Sequence, residues 1–477
     1  MSSRAARAAA KTALHQPRKA VLSNGVRVVT YDSGELASCV GVNFLAGSRF
    51  EDAFDGRAHI YSKLSLSPGD YRLHDDLSRK IGQLPGLDKK QNIGKSTQEQ
   101  LLHLHKLGIE QAPVNVTRDM MGTTVGVLRP WAGAAIKPLV DAVVLPGCYD
   151  AIINQRVVKE DYLEQLRQLR ECDEELQINE LAFAAAFNGQ GLGRSLYADE
   201  TTLDQVGHAE LQDYKQRLLT PDRMVITGVN VDHDEFVAAA ESTLCEYRTR
   251  DRGEDLVDAS YSPGFRVASG KTPAVSIGFR VPGADSESFA ALFVLQLLMG
   301  GGSKFSSGGP GKGLCSRLFR LLGESMGRIK HASPVFESTP NEAVLGISLV
   351  ADPEFAEHGH IDTQGLMELC AVEWMRLKQG VTADEVEMAR NMAIGQLQMN
   401  YEDRFVIAED MSRNALLDLP LRTVDEYTAA VADVTADQIN GIIANMTQED
   451  PYIAAITPSR SAVPSPDQLV AFLKRMP

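Results

Sequence analysis

The most unusual chemistry in the chain is offered by a glycine-rich stretch that runs Met299-Gly300-Gly301-Gly302-Ser303-Lys304-Phe305-Ser306-Ser307-Gly308-Gly309-Pro310-Gly311-Lys312-Gly313. Glycine forgoes side-chain packing and opens backbone angles closed to other residues. A loop of this kind can change shape, and its bare amides and carbonyls can lie close to an extended peptide. Gly311-Lys312 resembles part of a phosphate-binding loop, but G-x-x-x-x-G-K-[ST] needs glycine at Ser306 and a hydroxyl at Gly313. Nucleotide binding is set aside on that ground. A connector without function remains, although it would not usually need a Gly-Gly-Pro-Gly-Lys-Gly centre.

Histidines and carboxylates offer less. His103 and His105 are two apart on an expected helix from Gln98 to Leu107, so they point in different directions. His358-Gly359-His360 falls in a polar turn after Pro353. Neither pair has a fitting carboxylate, and both read as surface features. Asp173-Glu174-Glu175 and Asp384-Glu385 could meet a basic substrate, although charged helix ends explain them equally well. The cysteines Cys39, Cys148, Cys172, Cys245, Cys315 and Cys370 are scattered with no C-x-x-C pair, which favours free thiols over a disulfide frame or a cysteine metal site.

The elements that must position these residues come in two sets. A register of about 235 residues links the halves: Val40, Val42 and Phe44 alternate like a strand, and Val275, Ile277 and Phe279 repeat the pattern. Arg156 and Arg390 are each expected to head a helix. Each half closes with a helix and then a strand, Leu211–Leu219 before Met224-Val225-Ile226 and Ile439–Met446 before Tyr452-Ile453-Ala454. The expectation is an α+β chain of two homologous domains, each a mainly antiparallel sheet with helices packed on it. The domains are placed at 21–247 and 263–477, joined by a linker at 248–262. An inserted excursion from Ser65 to Lys95, with Pro68, Gly69, Pro85 and Gly86 and no clear period, is assigned to surface and partner contact, with a disordered loop as the alternative.

Composition bounds the function. A chain of 477 residues exceeds what one core organises, and 44% hydrophobic with 23% charged residues is the balance of a globular protein. A formal net charge of −15 argues against binding a phosphate backbone and leaves room for a basic substrate. The longest apolar run, Phe289 to Met299, is too short to span a bilayer and reads as a buried helix. Arg4, Arg7, Lys11, Arg18 and Lys19 precede the first acidic residue, Asp32, in a segment rich in Ala, Ser and Thr. Spacings of three and four put Arg4, Arg7 and Lys11 on one side of a possible helix, so residues 1–20 read as a mitochondrial presequence-like segment, with a solvated basic tail as the alternative.

From Val21 onward the sequence resembles the inverted-motif (pitrilysin-like) zinc peptidases, and among them the mitochondrial processing peptidases and complex III core subunits. The resemblance runs through Val114-Asn115-Val116-Thr117-Arg118, Asn188-Gly189-Gln190-Gly191-Leu192-Gly193 and the glycine-rich stretch. Active members carry H-x-x-E-H and a distal glutamate: two imidazoles and a carboxylate hold zinc, and the first glutamate takes a proton from metal-bound water. The matching segment here is Gly56-Arg57-Ala58-His59-Ile60-Tyr61-Ser62-Lys63, and the distal position is Tyr162, six residues after Arg156. His59, Ser62, Lys63 and Tyr162 therefore stand in the places of ligand, base, ligand and ligand. Lysine is a cation at neutral pH and repels zinc, so neither metal nor other cofactor is expected.

The glycine-rich stretch is similar to the signature of non-catalytic alpha-type subunits, with Lys304 as a departure. The resemblance implies that Gly300, Gly301, Gly302, Ser303, Phe305, Gly308, Gly309, Pro310, Gly311, Lys312 and Gly313 help to hold basic mitochondrial presequence peptides. It also implies a beta-type zinc-bearing partner and a place on the matrix side of the inner mitochondrial membrane. A structural role among the other complex III subunits is the alternative.

Overall fold

The computed structural model describes residues 16–52, 55–64, 105–109, 113–144, 162–168, 173–245, 247, 260–303 and 315–458. The Ser65–Lys95 excursion, Arg156, His103 and residues 1–15 lie outside the described residues, as do most of the expected linker and residues 304–314 of the glycine-rich stretch. The strands are β1 (Arg18–Val21), β2 (Arg27–Tyr31), β3 (Ala37–Phe44), β4 (Asn115–Val116), β5 (Met121–Leu128) and β6 (Met224–Val229), then β7 (Phe265–Ser269), β8 (Ala274–Pro282), β9 (Gly302–Ser303), β10 (Ile329–Ser338), β11 (Glu342–Ala351) and β12 (Tyr452–Thr457). They form two six-stranded mixed sheets, ordered β1-β2-β6-β3-β5-β4 and β7-β12-β8-β11-β10-β9.

The sheets share one plan. In the first, β2 runs parallel to β6, and β3 is antiparallel to both β6 and β5. In the second, β7 runs parallel to β12, and β8 is antiparallel to both β12 and β11. The closing strand is thus inserted beside β2 in the first sheet and β7 in the second, which leaves a single parallel pair in each otherwise antiparallel sheet. The alternation read at Val40, Val42, Phe44 and at Val275, Ile277, Phe279 falls on β3 and β8, the equivalent central strands.

The first compact unit comprises residues 1–166, 195–257 and 401–423. One sheet face, with Val28, Val40, Val42, Phe44 and Ile226, packs on the helix Ala132–Val144 through Ile136 and Leu139. The opposite face, with Val29, Cys39, Val225 and Val229, is covered by the helix Arg404–Leu416 through Ile407, Ala408, Met411, Ala415 and Leu416. Strand alternation sends Val28 and Val29, or Val225 and Ile226, to opposite faces, and both faces are covered, so apolar residues fill nearly every position and the buried Thr227 is hydrogen-bonded to Ser412. That is why β6 is buried throughout.

The second unit comprises residues 167–194, 258–400 and 424–477. One face of its sheet, with Ile277, Phe279, Leu345 and Ile347, packs on the helices Phe289–Met299, Thr363–Lys378 and Ala436–Met446. The other, with Ala274, Val344, Tyr452, Ala454 and Ile456, is covered by the helix Glu174–Ala186 through Ile178, Ala182 and Phe183. Asp173 caps that helix by accepting from the Leu176 amide at 2.8 Å.

The contiguous halves placed at 21–247 and 263–477 therefore differ from the compact units by one exchanged helix each. A helix from the second half lies on the first sheet, and a helix from the first half lies on the second. Arg390 does not head a helix: it sits inside Ala383–Asn400, where its guanidinium reaches the Ala432 and Val434 carbonyls at 2.9 and 3.2 Å. The helix after the glycine-rich stretch begins at Arg317 and ends at Glu324.

Candidate functional site

In the first unit, the helix Arg57–Leu64 carries His59, Ser62 and Lys63. Its start is set by Glu51, whose buried carboxylate accepts from the amides of Gly56 at 2.7 Å and Ala58 at 2.6 Å. Burial pushes the Glu51 carboxyl up to about 8, against the opposing pull of those amides and of Arg57. Gly56 is required where it stands: its φ is +79°, and a Cβ would collide with the backbone of Tyr197 and Ala198. Arg57 is buried and pairs with Asp52, with Asp213 further off at 3.7 Å. The helix is thus held at its N-terminus by a buried network, and its later residues have fixed directions.

His59 and Tyr162 come together. Nδ1 of His59 is 2.7 Å from the Tyr162 hydroxyl, and the two ring centroids are 5.4 Å apart. Tyr197 adds an edge-on contact at 4.8 Å. Burial, aided by the Lys63 ammonium, lowers the His59 imidazole to about 4, so it is neutral at pH 7. The Ser62 hydroxyl donates to the His59 carbonyl at 2.8 Å, one helical turn back. It is spent within the helix. Lys63 is exposed.

One imidazole already engaged by a phenol, a hydroxyl, an ammonium and that phenol do not make a zinc ligand set, which calls for nitrogen, thiolate or carboxylate donors. The residues do not fit the metal. Among the described residues, no cluster of three or more His, Cys, Asp or Glu could hold a metal ion. Glu51 and Tyr197 carried no signal in the sequence, because each matters through a contact made by the fold.

In the second unit, the described part of the glycine-rich stretch leaves the C-terminus of the helix Phe289–Met299. Gly300, Gly301 and Gly302 have φ of 55°, 133° and 153°, values that favour glycine. Gly302 and Ser303 form β9, paired with Ala332 and His331 at the sheet edge. The chain is described again from Cys315, and Ser316 is buried beneath Gly300: a Cβ at Gly300 would collide with its side chain. The described start of the stretch is therefore held against the sheet edge and Ser316. Phe305, Gly308, Gly309, Pro310, Gly311, Lys312 and Gly313 lie outside the described residues.

The acidic candidates are engaged locally. Asp173 is a helix cap, Glu174 accepts from Lys330 at 2.7 Å, and Glu175 accepts from Ser333 at 2.8 Å. Glu385 is held below the usual carboxylate range, to about 2: burial opposes this, but the Arg317 guanidinium and the Thr382 amide outweigh it. His358 and His360 flank Gly359, with their rings stacked 6.3 Å apart in the turn after the helix Pro353–Glu357. Among the described residues, no helix is long and apolar enough to cross a membrane.

Comparison with known proteins meets this geometry. Residues 205–393 match the family model described as the peptidase M16 inactive domain. The chain is 27% identical over 436 residues to the probable mitochondrial-processing peptidase subunit alpha-2, chloroplastic/mitochondrial, of Arabidopsis thaliana, across 88% of this chain and 79% of that protein. It is 26% identical over 455 residues to the mitochondrial-processing peptidase subunit alpha of Homo sapiens, across 91% of this chain and 81% of that one. A chain of complex III2 from Candida albicans, solved with Inz-5 bound, superposes with a TM-score of 0.70 at 16% identity, covering 96% of this chain and 99% of that chain. The last likeness is one of fold. Along most of its length, then, this chain resembles the alpha subunits of mitochondrial-processing peptidase, residues 205–393 match the peptidase M16 inactive domain, and the fold is shared with the complex III2 chain.

Proposed function

We propose that the chain is a non-catalytic, alpha-type subunit of a mitochondrial processing peptidase, placed on the matrix side of the inner membrane. It holds basic presequences for cleavage by a beta-type partner that carries the zinc. The observation that carries this reading is the His59–Tyr162 pair at 2.7 Å. A phenol occupies the imidazole where a peptidase needs a metal, so the proposal gives this chain no step in hydrolysis. The degenerate positions are His59, Ser62, Lys63 and Tyr162, and the holding element is the stretch from Gly300 to Gly313. The left-handed backbone at Gly300, Gly301 and Gly302, where the stretch leaves its helix, supports that reading. The net charge of −15 suits a cationic peptide.

A second reading, a structural core subunit within complex III, draws on the fold likeness to the Candida albicans assembly. Purification separates the two. A heterodimer that cleaves presequences and loses activity with a chelator supports processing, whereas co-migration with cytochrome subunits and no cleavage supports the structural role. Deleting Gly308 to Gly313 in the reconstituted pair should weaken presequence binding. Unchanged binding would remove the loop from the proposal, and a full equivalent of zinc with hydrolysis by this chain alone would remove the non-catalytic assignment.

A further inference from the structure

The duplicated sheets differ at one edge. In the first, β2 lies between β6 and β1, and β1 pairs with it antiparallel, Arg18 opposite Thr30 and Val21 opposite Arg27. In the second, β7 is the counterpart of β2, being parallel to the closing strand β12, and it ends the sheet. The first half fills the outer position through a tight turn, in which the Leu22 amide donates to the Val26 carbonyl at 2.9 Å. Ahead of β7 the chain runs elsewhere: the amides of Ser262 and Gly264 donate to the Ala186 and Ala185 carbonyls at 2.9 and 2.8 Å. Among the described residues, no strand pairs with the outer edge of β7.

Register fixes which backbone groups that edge presents. The Ile453 amide donates to the Gly264 carbonyl at 3.0 Å, and the Gly270 amide to the Thr457 carbonyl at 3.2 Å. In a parallel ladder alternate residues face the neighbouring strand, so Gly264, Arg266, Ala268 and Gly270 turn toward β12. Phe265, Val267 and Ser269 therefore turn their N–H and C=O groups outward. Val267 also exposes 43% of its surface. Proline and lysine, which commonly blunt an open edge, are missing from β7, and the Arg266 guanidinium is turned to the Asn188 side chain at 2.8 Å.

The outward set is self-complementary. Outward groups at alternate positions, with Val267 at the centre, match an antiparallel copy of themselves. About a two-fold axis at Val267, that residue meets its own counterpart and Phe265 meets the counterpart of Ser269, each as a hydrogen-bonded pair. The exposed Val267 side chains then lie side by side on one face. Arg266 falls opposite the counterpart of Ala268, so like charges do not face each other. We propose that β7 is an interaction edge for a second copy of this chain, the two β7 strands pairing antiparallel to join two six-stranded sheets into one. This inference is independent of the subunit assignment. The contact is small against the roughly 1,000 Å² of a stable interface, so the association is weak and reversible. Each chain carries a net charge of −15, and salt that screens the repulsion should strengthen the pairing.

Sedimentation velocity on the full chain should show a monomer–dimer equilibrium that shifts toward dimer with protein concentration and with added salt. Val267→Lys sets two ammonium groups against each other across the axis and should lower the association constant by roughly tenfold or more. Val267→Thr, uncharged and β-branched, should associate nearly as the wild type does. Circular dichroism and melting temperature should match in all three, because the position is exposed. Hydrogen exchange locates the contact: the amides of Phe265, Val267 and Ser269 should slow as concentration rises, whereas those of Arg266 and Ala268, bonded to β12, are slow throughout. A chain that stays monomeric at every concentration and salt would overturn the proposal. So would a dimer that Val267→Lys leaves intact, or one whose formation does not slow those outward amides. Protection of the same amides by an added extended peptide, with the chain alone monomeric, would also overturn it, since the edge would then take a different partner.

Discussion

At the scale of single residues, His59 shows how burial and a neighbouring hydroxyl fix the state of an imidazole. Its Nδ1 meets Tyr162, its neighbour Ser62 bonds back into the helix, and Lys63 adds a positive charge nearby. Burial first, and Lys63 second, lower its proton affinity from an ordinary 6.5 to about 4. The consequence for stability has a definite sign. The folded chain binds this proton less readily than the unfolded one, so the contribution is fully present above pH 6.5 and is lost as pH falls toward 4. Within that window His59 should steepen the fall in unfolding free energy by about 1.4 kcal/mol per pH unit. Denaturant titrations between pH 7 and 4 on the wild type and on His59→Asn measure this: the variant's profile should be flatter. Lys63→Gln should raise the His59 value while burial keeps it below 6.5, as read from the imidazole resonances by NMR. Parallel profiles for wild type and His59→Asn would show that the imidazole is not held neutral by the fold.

Among the elements, the helix Arg404–Leu416 has the most to lose, because it covers a sheet built from the other half of the chain. Besides its apolar face it is tied by Ser412, which meets Thr227 at 2.7 Å and Asn43 at 3.1 Å. Asp119 adds an ionic tie: it pairs with Arg49 at 2.8 Å and accepts from Arg413 at 2.8 Å, its side chain 4% exposed. Removing a carboxylate shared by two guanidinium groups leaves charge without its counter-ion, a change that costs about 3–5 kcal/mol when the pair is buried. Asp119→Ala should destabilise by about that much in urea unfolding, and Arg413→Ala, whose side chain is 25% exposed, by less. Equal and small effects would mean that the apolar contacts alone hold the helix. This tie was not legible in the sequence, where Asp119 and Arg413 are 294 residues apart. The helix Phe289–Met299 was legible, because an apolar run interrupted only by Gln296 and followed by glycines reads as a buried helix. So were β3 and β8, whose alternation repeats at a constant offset. Which sheet an amphipathic helix covers is a different matter: the pattern on Glu174–Ala186 or Arg404–Leu416 says that one face is buried and not against what. The candidate site divides in the same way. The resemblance singled out His59, Ser62, Lys63 and Tyr162 as positions to inspect, whereas the imidazole–phenol bond and the Glu51 cap depend on tertiary contact.

Across the whole molecule, the exchange of helices makes the two halves of the chain dependent on each other even though each sheet has its own core. The first sheet is closed on one face by residues 404–416 and the second by residues 174–186. Ile407, Met411 and Leu416 are buried in the first unit, and Ile178 and Phe183 in the second. At about 1.5–3 kcal/mol for each large apolar side chain, these five contribute on the order of 10 kcal/mol, an upper figure because the unfolded chain already buries part of its surface. An energy of that size corresponds to association tighter than micromolar before ordering costs are counted. A cut between the halves should therefore leave them joined. With a protease site inserted in residues 248–257 and cleaved after folding, the two fragments should co-elute in gel filtration. They should part only at the denaturant concentration that unfolds the sheets. Asp119→Ala in the nicked chain should lower that concentration, because it weakens the seat of the helix that the second fragment contributes. Fragments that separate in native buffer would show that the exchanged helices decorate two self-sufficient halves, and that the covalent connection keeps them together.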